Sequence, residues 1–268
     1  MSLLVVIPAR GPSTRLPMKP LREIAGVSLL HRTIAFARRA LAEIDATLVV
    51  ATDDPRIAAH AEAAGCAAVM TDPAIASGSG RALAAARLQA EAPAIIVNLQ
   101  GDAPFQPADA LTAVVAALRD GDMDVATPVV QLSWDTLDAF RAHKWAAPFS
   151  GTTCVRAADG RALWFSKTIL PALRDESAMR RAGLPCPVWR HVGLYGYRRA
   201  ALEAFEAAPP TELEQLEGLE QLRLLELGLR IAAVEVAPAV FDMSGIDTEV
   251  DIARAEALIA AHGDPHCA

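Results

Sequence analysis

Cysteines are few in this sequence, and they are far apart. Only four occur in 268 residues, namely Cys66, Cys154, Cys186 and Cys267, and no two of them form a C-x-x-C pair. A zinc ribbon needs paired ligands and a disulfide framework needs closely spaced cysteines, so the sequence indicates neither. We therefore expect reduced thiols and a cytoplasmic protein.

Long apolar runs and an excess of positive charge are also missing. The first apolar run, at 3–7, is too short for a secretory signal and follows no basic segment. No stretch approaches the roughly 18 apolar residues of a transmembrane helix. The net charge is −7 and the pI about 5.4, which argues against a nucleic-acid-binding protein. We expect neither a membrane nor a nucleic acid as partner, and an anionic substrate must be held by local cations.

Hydrophobic residues are plentiful, at 53%, and their pattern alternates between strands and helices. The predicted strands lie at 3–7, 47–51, 67–70, 94–99 and 125–130, and the predicted helices at 29–41, 54–64, 81–90 and 107–119. Strands that alternate with helices imply a mostly parallel sheet with right-handed crossovers. We predict a single α/β domain at 1–268, with a doubly wound, Rossmann-like sheet.

The second half of the sequence is less regular. Two short strands are predicted at 153–156 and 162–166, followed by a charged stretch punctuated by prolines. Further predictions are a strand at 191–197, a continuous helix at 213–227, a strand at 231–236 and a last helix at 250–261. We interpret 131–210 as a smaller mixed α/β elaboration on the sheet that carries subunit contacts.

A basic loop follows the first predicted strand. Arg10, Arg15 and Lys19 are its only charged residues, and all three are positive. An open α/β sheet binds its ligand at the carboxyl ends of its strands. Three cations beside exposed backbone N–H groups suit a polyphosphate, although a solvated surface loop with incidental charge is the alternative.

Two aspartates far apart in the chain lie in predicted loops. Asp102 comes just after the strand at 94–99, and Asp247 lies in a late loop. If the fold brings them together, their oxygens could hold Mg²⁺ against a triphosphate. Each also has a simpler explanation, because Asp102 can be a turn residue and Asp247-Thr248 can be an ordinary helix cap.

Five motifs, in order along the chain, resemble those of the 3-deoxy-manno-octulosonate (Kdo) cytidylyltransferase family. Residues 7–21 read I-P-A-R-G-P-S-T-R-L-P-M-K-P-L, 97–104 V-N-L-Q-G-D-A-P, 190–198 R-H-V-G-L-Y-G-Y-R, 213–223 L-E-Q-L-E-G-L-E-Q-L-R and 245–248 G-I-D-T. Shorter matches are A-T-D at 51–53 and S-G-S-G-R at 77–81. Met18 stands where the family has glycine, and Gly80 and Ala103 replace acidic residues. Residues 150–156 also do not match the N-x-V-K-V strand that the family has at this place.

The resemblance implies a fold of the nucleotidyltransferase type and a role for each matching residue. The implied catalytic residues are Arg10, Arg15 and Lys19, and the implied magnesium ligands are Asp102 and Asp247. Implied nucleotide contacts are Pro8, Ala9, Arg10, Thr52, Asp53, Ser77, Gly78, Arg81 and Gln100, and implied sugar contacts are Gln100, His191, Tyr195, Glu214 and Gln221. Without the resemblance, the tyrosines would be read as core residues and the glutamates as a solvated helix face.

The resemblance also implies the reaction of CTP with Kdo to give CMP-Kdo and pyrophosphate. It implies Mg²⁺ as cofactor, a homodimer, and a place in lipopolysaccharide or capsule synthesis. The departures leave open a related acid, such as an amino-octulosonate or a nonulosonate, and a non-catalytic nucleotide-sensing relative. A glycosyltransferase is a third alternative, but its D-x-D pair belongs at a strand end, and Asp122-Met123-Asp124 precedes a strand.

Overall fold

The computed structural model describes residues 1–13, 15–241, 243 and 245–265. Thr14 of the basic motif, Ser244 and Cys267 lie outside the described residues. The strands of the described chain are β1 Leu3–Ala9, β2 Glu23–Ile24, β3 Val27–Ser28, β4 Thr47–Thr52, β5 Ala67–Met70, β6 Ile95–Leu99, β7 Val125–Gln131, β8 Thr153–Arg156, β9 Ala162–Ser166, β10 Trp189–His191, β11 Leu194–Arg198 and β12 Ile231–Glu235.

The helices of the same residues surround the sheet. They are α1 Leu29–Ala40, α2 Pro55–Ala63, α3 Gly78–Arg87, α4 Ala110–Asp120, α5 Trp134–Ala146, α6 Glu176–Arg181, α7 Arg199–Ala207, α8 Glu212–Glu217, α9 Glu220–Glu226 and α10 Glu249–His262, with a 3-10 turn at Lys19–Leu21. Within the described ranges, no helix is both long enough and apolar enough to cross a bilayer.

One large sheet confirms the predicted single α/β domain. Its order is β5-β4-β1-β6-β11-β7-β10-β8-β9, and β12 also pairs with β7. The half that contains β5, β4, β1 and β6 is parallel, whereas β11 runs antiparallel to both β6 and β7. The carboxyl ends of β1, β4 and β6 therefore meet at one edge of the sheet, where a ligand is expected.

Residues of β1 alternate between two core layers, as a strand buried on both faces requires. Leu4 and Val6 belong to a cluster with residues of α3, α7 and α9. Leu3, Val5 and Ile7 belong to a second cluster with residues of α1 and α4. Helices therefore cover both sides of the sheet, which is the doubly wound arrangement.

The predicted continuous helix at 213–227 is wrong. The chain forms two short helices, α8 and α9, because Gly218 adopts the left-handed conformation with φ of 64° and ends α8. Such a glycine at a helix C-terminus stops the helix and redirects the chain. The break also changes which side chains of this segment share a face.

The second half of the chain differs from the prediction in two further places. The strand at 191–197 is two strands, β10 and β11, which are separated at Val192 and Gly193. Helix α5 was not predicted, because it buries only Leu137 and Phe140 and so lacks a clear apolar stripe. The short strands at 153–156 and 162–166 are confirmed as β8 and β9.

Candidate active site

A cavity of about 380 Å³ opens at the carboxyl ends of β1 and β6. Its lining includes the basic loop after β1, the start of α3, the turn after β6 and the loop before α10. Of the residues singled out in the sequence, it is lined by Pro8, Ala9, Arg10, Arg15, Lys19, Ser77, Gly78, Arg81, Gln100, Asp102, Tyr195 and Asp247. We call this cavity the central pocket.

Lys19 lies between the two aspartates at the mouth of the central pocket. Its Nζ is 2.7 Å from Asp102 Oδ2 and 2.7 Å from Asp247 Oδ1. The lysine side chain is largely buried, while both carboxylates remain partly exposed. The structure thus brings together three residues that lie far apart in the sequence, around one positive charge.

A backbone contact explains why the two aspartates converge. The N–H of Ile246 donates a hydrogen bond to the carbonyl of Asp102 at 2.9 Å, which joins the two loops directly. Asp247 is then followed by Thr248, which caps α10 in a capping box with Asp251. Burial opposes ionisation of Asp251, but hydrogen bonds from the backbone of Asp247 and from Thr248 outweigh it and lower its pKa. Of the predicted cap residues Asp247 and Thr248, Thr248 is the one that caps the helix, and the Asp247 side chain lines the pocket instead.

These carboxylates fit a magnesium ion by their chemistry. Mg²⁺ prefers oxygen ligands and usually binds proteins through one or two carboxylates, with phosphate oxygens and water as further ligands. Asp102 and Asp247 meet around a single cation, the Lys19 ammonium, so their oxygens already converge on one positive charge. Among the residues described, no group of three or more His, Cys, Asp or Glu side chains could hold a metal by itself. Substrate phosphates would therefore have to complete the coordination.

The other two cations of the basic loop lie at the rim. Arg15 is exposed, and its guanidinium is 3.2 Å from Asp247 Oδ1. Arg10 is also exposed, and it donates a long hydrogen bond of 3.5 Å to the carbonyl of Ala76, across the pocket from its own loop. Exposed guanidinium groups at a pocket rim can turn toward phosphate oxygens at little cost.

Asp53 and Thr52 lie behind the pocket rather than in its lining. Asp53 accepts a hydrogen bond from the N–H of Gly11 at 2.9 Å and pairs with Arg81 at 3.1 Å. Thr52 is fully buried, and its carbonyl accepts hydrogen bonds from Thr71. These contacts tie the basic loop to the segment before α3, so both residues support these two walls of the pocket from behind.

The sugar candidates on β10 and β11 are divided between two cavities. Tyr195 lines the central pocket, whereas His191 lines a neighbouring cavity of about 280 Å³. The rings of His191, Tyr195 and Tyr197 lie in a row, with neighbouring centroids 5.3 Å and 6.0 Å apart. Burial, with a contribution from Lys167, lowers the pKa of His191 to about 3, so the imidazole is neutral at pH 7.

The candidates from the segment around Gly218 are held by protein contacts. Glu214 is buried, pairs with Arg223 at 2.9 Å and takes part in the cap of α8. Gln221 is buried as well. The residue of this segment that lines the central pocket is Glu220, next in sequence to Gln221, because the break at Gly218 rotates α9 relative to a continuous helix.

Asn98 is a second pocket residue that the sequence analysis missed. It lies on β6, two positions before Gln100, and both side chains line the central pocket. The alternation of a strand places residues i and i+2 on one face, so the position of Gln100 was the signal that could have identified Asn98.

Comparisons with known proteins point to one family. A family model described as cytidylyltransferase matches residues 4–231. The chain is 43% identical to a 3-deoxy-manno-octulosonate cytidylyltransferase of Maricaulis maris, over 98% of this chain and 99% of that protein. It is 42% identical to one of Anaeromyxobacter sp., over 96% of each.

Solved structures give the same result. A CMP:2-keto-3-deoxy-manno-octonic acid synthetase complexed with CTP superimposes with a TM-score of 0.80 at 33% identity, covering 97% of this chain and 99% of that one. A 4-diphosphocytidyl-2C-methyl-D-erythritol synthase from Anaerococcus prevotii gives a TM-score of 0.60 at 13% identity, over 97% and 98% of the two chains. This second likeness concerns the fold alone.

Proposed function

The chain belongs to the 3-deoxy-manno-octulosonate cytidylyltransferase family, and we propose that it transfers the cytidylyl group of CTP to Kdo, giving CMP-Kdo and pyrophosphate. The observation that carries this proposal is the position of Lys19 between Asp102 and Asp247 in the central pocket. One ammonium and two carboxylates beside a basic loop are suited to phosphoryl chemistry, where positioning and charge stabilisation do most of the work.

The reaction joins two anions, so the chain must offset their charge. The anomeric hydroxyl of the sugar attacks the α-phosphorus of CTP, a new O–P bond forms, and the bond to the bridging oxygen breaks as pyrophosphate leaves. Arg10, Arg15 and Lys19 surround the pocket mouth, where they can stabilise the charge that builds on the leaving group. The hydroxyl proton passes to solvent as the bond forms.

Asp102 and Asp247 are the residues that would hold Mg²⁺. A bound magnesium ion supplies positive charge to the phosphate oxygens and makes the sugar hydroxyl easier to ionise. The two carboxylates also fix the Lys19 ammonium in the pocket, with both N–O distances at 2.7 Å, so that it is already oriented before substrate arrives.

Nucleotide and sugar acid are expected to occupy different sides of the central pocket. We assign the nucleotide to the loop of Pro8 and Ala9 and to the start of α3, where Ser77 caps the helix through Gly80 N–H. Arg81 lines this side of the pocket, and Thr52 and Asp53 support the two loops from behind. We assign the sugar acid to Gln100 and Tyr195, with His191 in the adjoining cavity. Glu214 and Gln221 then affect sugar binding indirectly, through the packing of α8 and α9.

The assay that tests this function measures pyrophosphate release from CTP and Mg²⁺ with a panel of keto sugar acids. Release with Kdo supports the proposal. Release only with a different acid, such as a nonulosonate, would change the substrate but keep the reaction. No release with any acid, together with tight CTP binding, would favour a nucleotide-sensing protein instead.

The homodimer is also a proposal. Two large apolar side chains in the elaboration at 131–210 are strongly exposed, Trp145 at 91% and Phe149 at 76%. Exposed aromatic residues of this kind are enriched at subunit interfaces. Sedimentation of the purified protein at micromolar concentration tests the assembly. A cytoplasmic location and a role in lipopolysaccharide or capsule synthesis remain predictions.

A further inference from the structure

Helix α3 begins with only half of a capping box. Ser77 is its N-cap, and the Ser77 hydroxyl accepts a hydrogen bond from the N–H of Gly80 at 2.9 Å. In a complete box the third helical residue is Glu or Gln, whose side chain reaches back to the N-cap backbone. Here the third helical residue is Gly80, and the first turn of α3 contains no acidic residue. The helix therefore lacks a negative charge of its own to offset the positive end of its dipole.

A carboxylate from another helix lies where the missing side chain would begin. A Cβ at position 80 would lie 2.9 Å from Glu206 Oε2 and 2.8 Å from the cap hydroxyl of Ser77. Glu206 is on α7, next to Phe205, which belongs to the same core cluster as Leu83 of α3. The packing of α7 on α3 thus places the Glu206 carboxylate against the first turn of α3.

Within the described chain, the Glu206 carboxylate has no charged partner. None of the described residues forms an ion pair with it, and its buried Oε1 accepts no hydrogen bond from them. A partly buried carboxylate without a partner is costly, whereas the positive end of a helix stabilises a negative charge beside it. The first turn of α3 is therefore the favourable electrostatic partner of Glu206.

The first turn of α3 is also one wall of the central pocket. Ser77 and Gly78 both line the pocket. The turn packs closely on β6, since a Cβ at position 78 would lie 3.2 Å from Asn98 Nδ2. Fraying or a small shift of this turn would therefore alter the side of the pocket that we assign to the nucleotide.

We propose that Glu206 is a positioning residue for the nucleotide. From α7 it supplies the negative charge that a capping box carries at its third helical position, and so it holds the first turn of α3 in place. Position 80 is also where this sequence has glycine and the family an acidic residue, so a carboxylate of α7 stands in for one on α3. The inference deepens the proposed cytidylyl transfer and rests on its assignment of CTP to this side of the pocket.

Calorimetric titration of the full-length protein with CTP tests the inference without any turnover. Glu206→Gln keeps the shape of the side chain but removes its charge, and we expect the Kd for CTP to rise by about two- to fivefold. Glu206→Ala should have an effect at least as large. In the pyrophosphate assay both variants should raise the KM for CTP and leave the KM for Kdo near its wild-type value. A general loss of stability would not separate the two KM values in this way.

A rescue experiment asks whether the charge can act from either helix. Gly80→Glu alone puts two carboxylates in one place, because a Cβ at position 80 already touches Glu206, and it should weaken CTP binding. Gly80→Glu combined with Glu206→Ala leaves a single carboxylate, now on α3. We expect this double variant to bind CTP with a Kd within about twofold of the wild-type value.

Glu203→Gln is the matched control on the same helix. Glu203 pairs with Arg199 at 2.8 Å, so its substitution should leave the Kd for CTP unchanged. An unchanged Kd in a folded Glu206→Gln protein overturns the inference, and so does a folded double variant that binds CTP no better than Glu206→Ala. If CTP binding responds as expected but no keto sugar acid gives pyrophosphate release, the proposed function fails and the positioning role of Glu206 stands.

Discussion

Asp53 and Arg81 form an ion pair of 3.1 Å in which both side chains are almost completely buried, with exposed fractions of 4% and 2%. Asp53 also binds the N–H of Gly11, and Arg81 also donates to the carbonyl of Ile75. The pair therefore links the basic loop after β1 to the loop before α3, which are the two sides of the half of the pocket that we assign to the nucleotide.

Removal of one partner of this pair should destabilise the protein strongly. In Asp53→Asn the Arg81 guanidinium stays buried without its counter-charge, which typically costs about 3–5 kcal/mol. We expect urea denaturation to show a loss of that order. As a control, Asp159→Asn breaks the exposed pair with Arg161 and should cost far less, because solvent screens an exposed ion pair. Equal losses in the two variants would contradict the structural role assigned to Asp53.

Lys19 is the residue whose loss should affect turnover most. In Lys19→Ala the ammonium between Asp102 and Asp247 is gone, so charge on the leaving group is less well stabilised. We expect kcat to fall by about 10²–10³, as for loss of one transition-state donor, with a much smaller change in KM for the sugar. Arg22→Ala is the control, because Arg22 pairs with Glu249 outside the central pocket. Unchanged turnover in Lys19→Ala would remove the lysine from the catalytic role.

Several of these relationships could be predicted from the sequence, and the reason is geometric. The basic loop and Asp102 both follow strands of the parallel half, and parallel strands bring their carboxyl ends to the same edge. Asp247 follows no predicted strand. Its place beside Asp102 depends on the contact between Ile246 and Asp102, which no periodicity reveals. The resemblance to a family supplied that pairing.

Other parts of the site could not be predicted because they depend on local breaks in the backbone. The left-handed Gly218 ends α8 and turns Glu220, rather than Gln221, into the pocket. The separation of β10 from β11 leaves His191 in a different cavity from Tyr195. Helical or strand periodicity assumes a regular backbone, so it assigns the wrong face wherever one residue interrupts the element.

Substitution of the two pocket aspartates should affect turnover differently from substitution in the D-x-D triplet of Asp122 and Asp124. Asp102→Asn and Asp247→Asn each remove the negative charge of one carboxylate that would bind Mg²⁺. We therefore expect a large loss of kcat and a higher Mg²⁺ concentration for the half-maximal rate. Asp122 belongs to the D-x-D triplet and pairs with Arg230 at the surface. Asp122→Asn should therefore leave the rate and its Mg²⁺ dependence unchanged. The opposite pattern would favour the glycosyltransferase reading.

His191 should make the stability of the protein depend on pH. Its pKa is about 3 in the folded chain, where burial disfavours the imidazolium, against about 6.5 for the exposed side chain of the unfolded chain. Below pH 6.5 the unfolded state therefore binds a proton that the folded state does not. The stabilisation is complete above pH 6.5 and is lost progressively as the pH falls toward 3, by about 1.4 kcal/mol per pH unit.

The measurement for His191 is the free energy of unfolding between pH 7 and pH 4.5, from urea titrations of the wild-type protein and of His191→Gln. Glutamine keeps a polar group near Thr127 Oγ1, which lies 2.8 Å from the imidazole, but it cannot take up a proton in this range. We expect a shallower pH dependence in His191→Gln. His143→Gln is the control and should keep the wild-type slope, because the His143 side chain, on α5, is exposed to solvent in the folded chain as well as in the unfolded one. If His191→Gln and the wild-type protein lose stability in parallel on acidification, the neutral imidazole of His191 is not the source of the dependence.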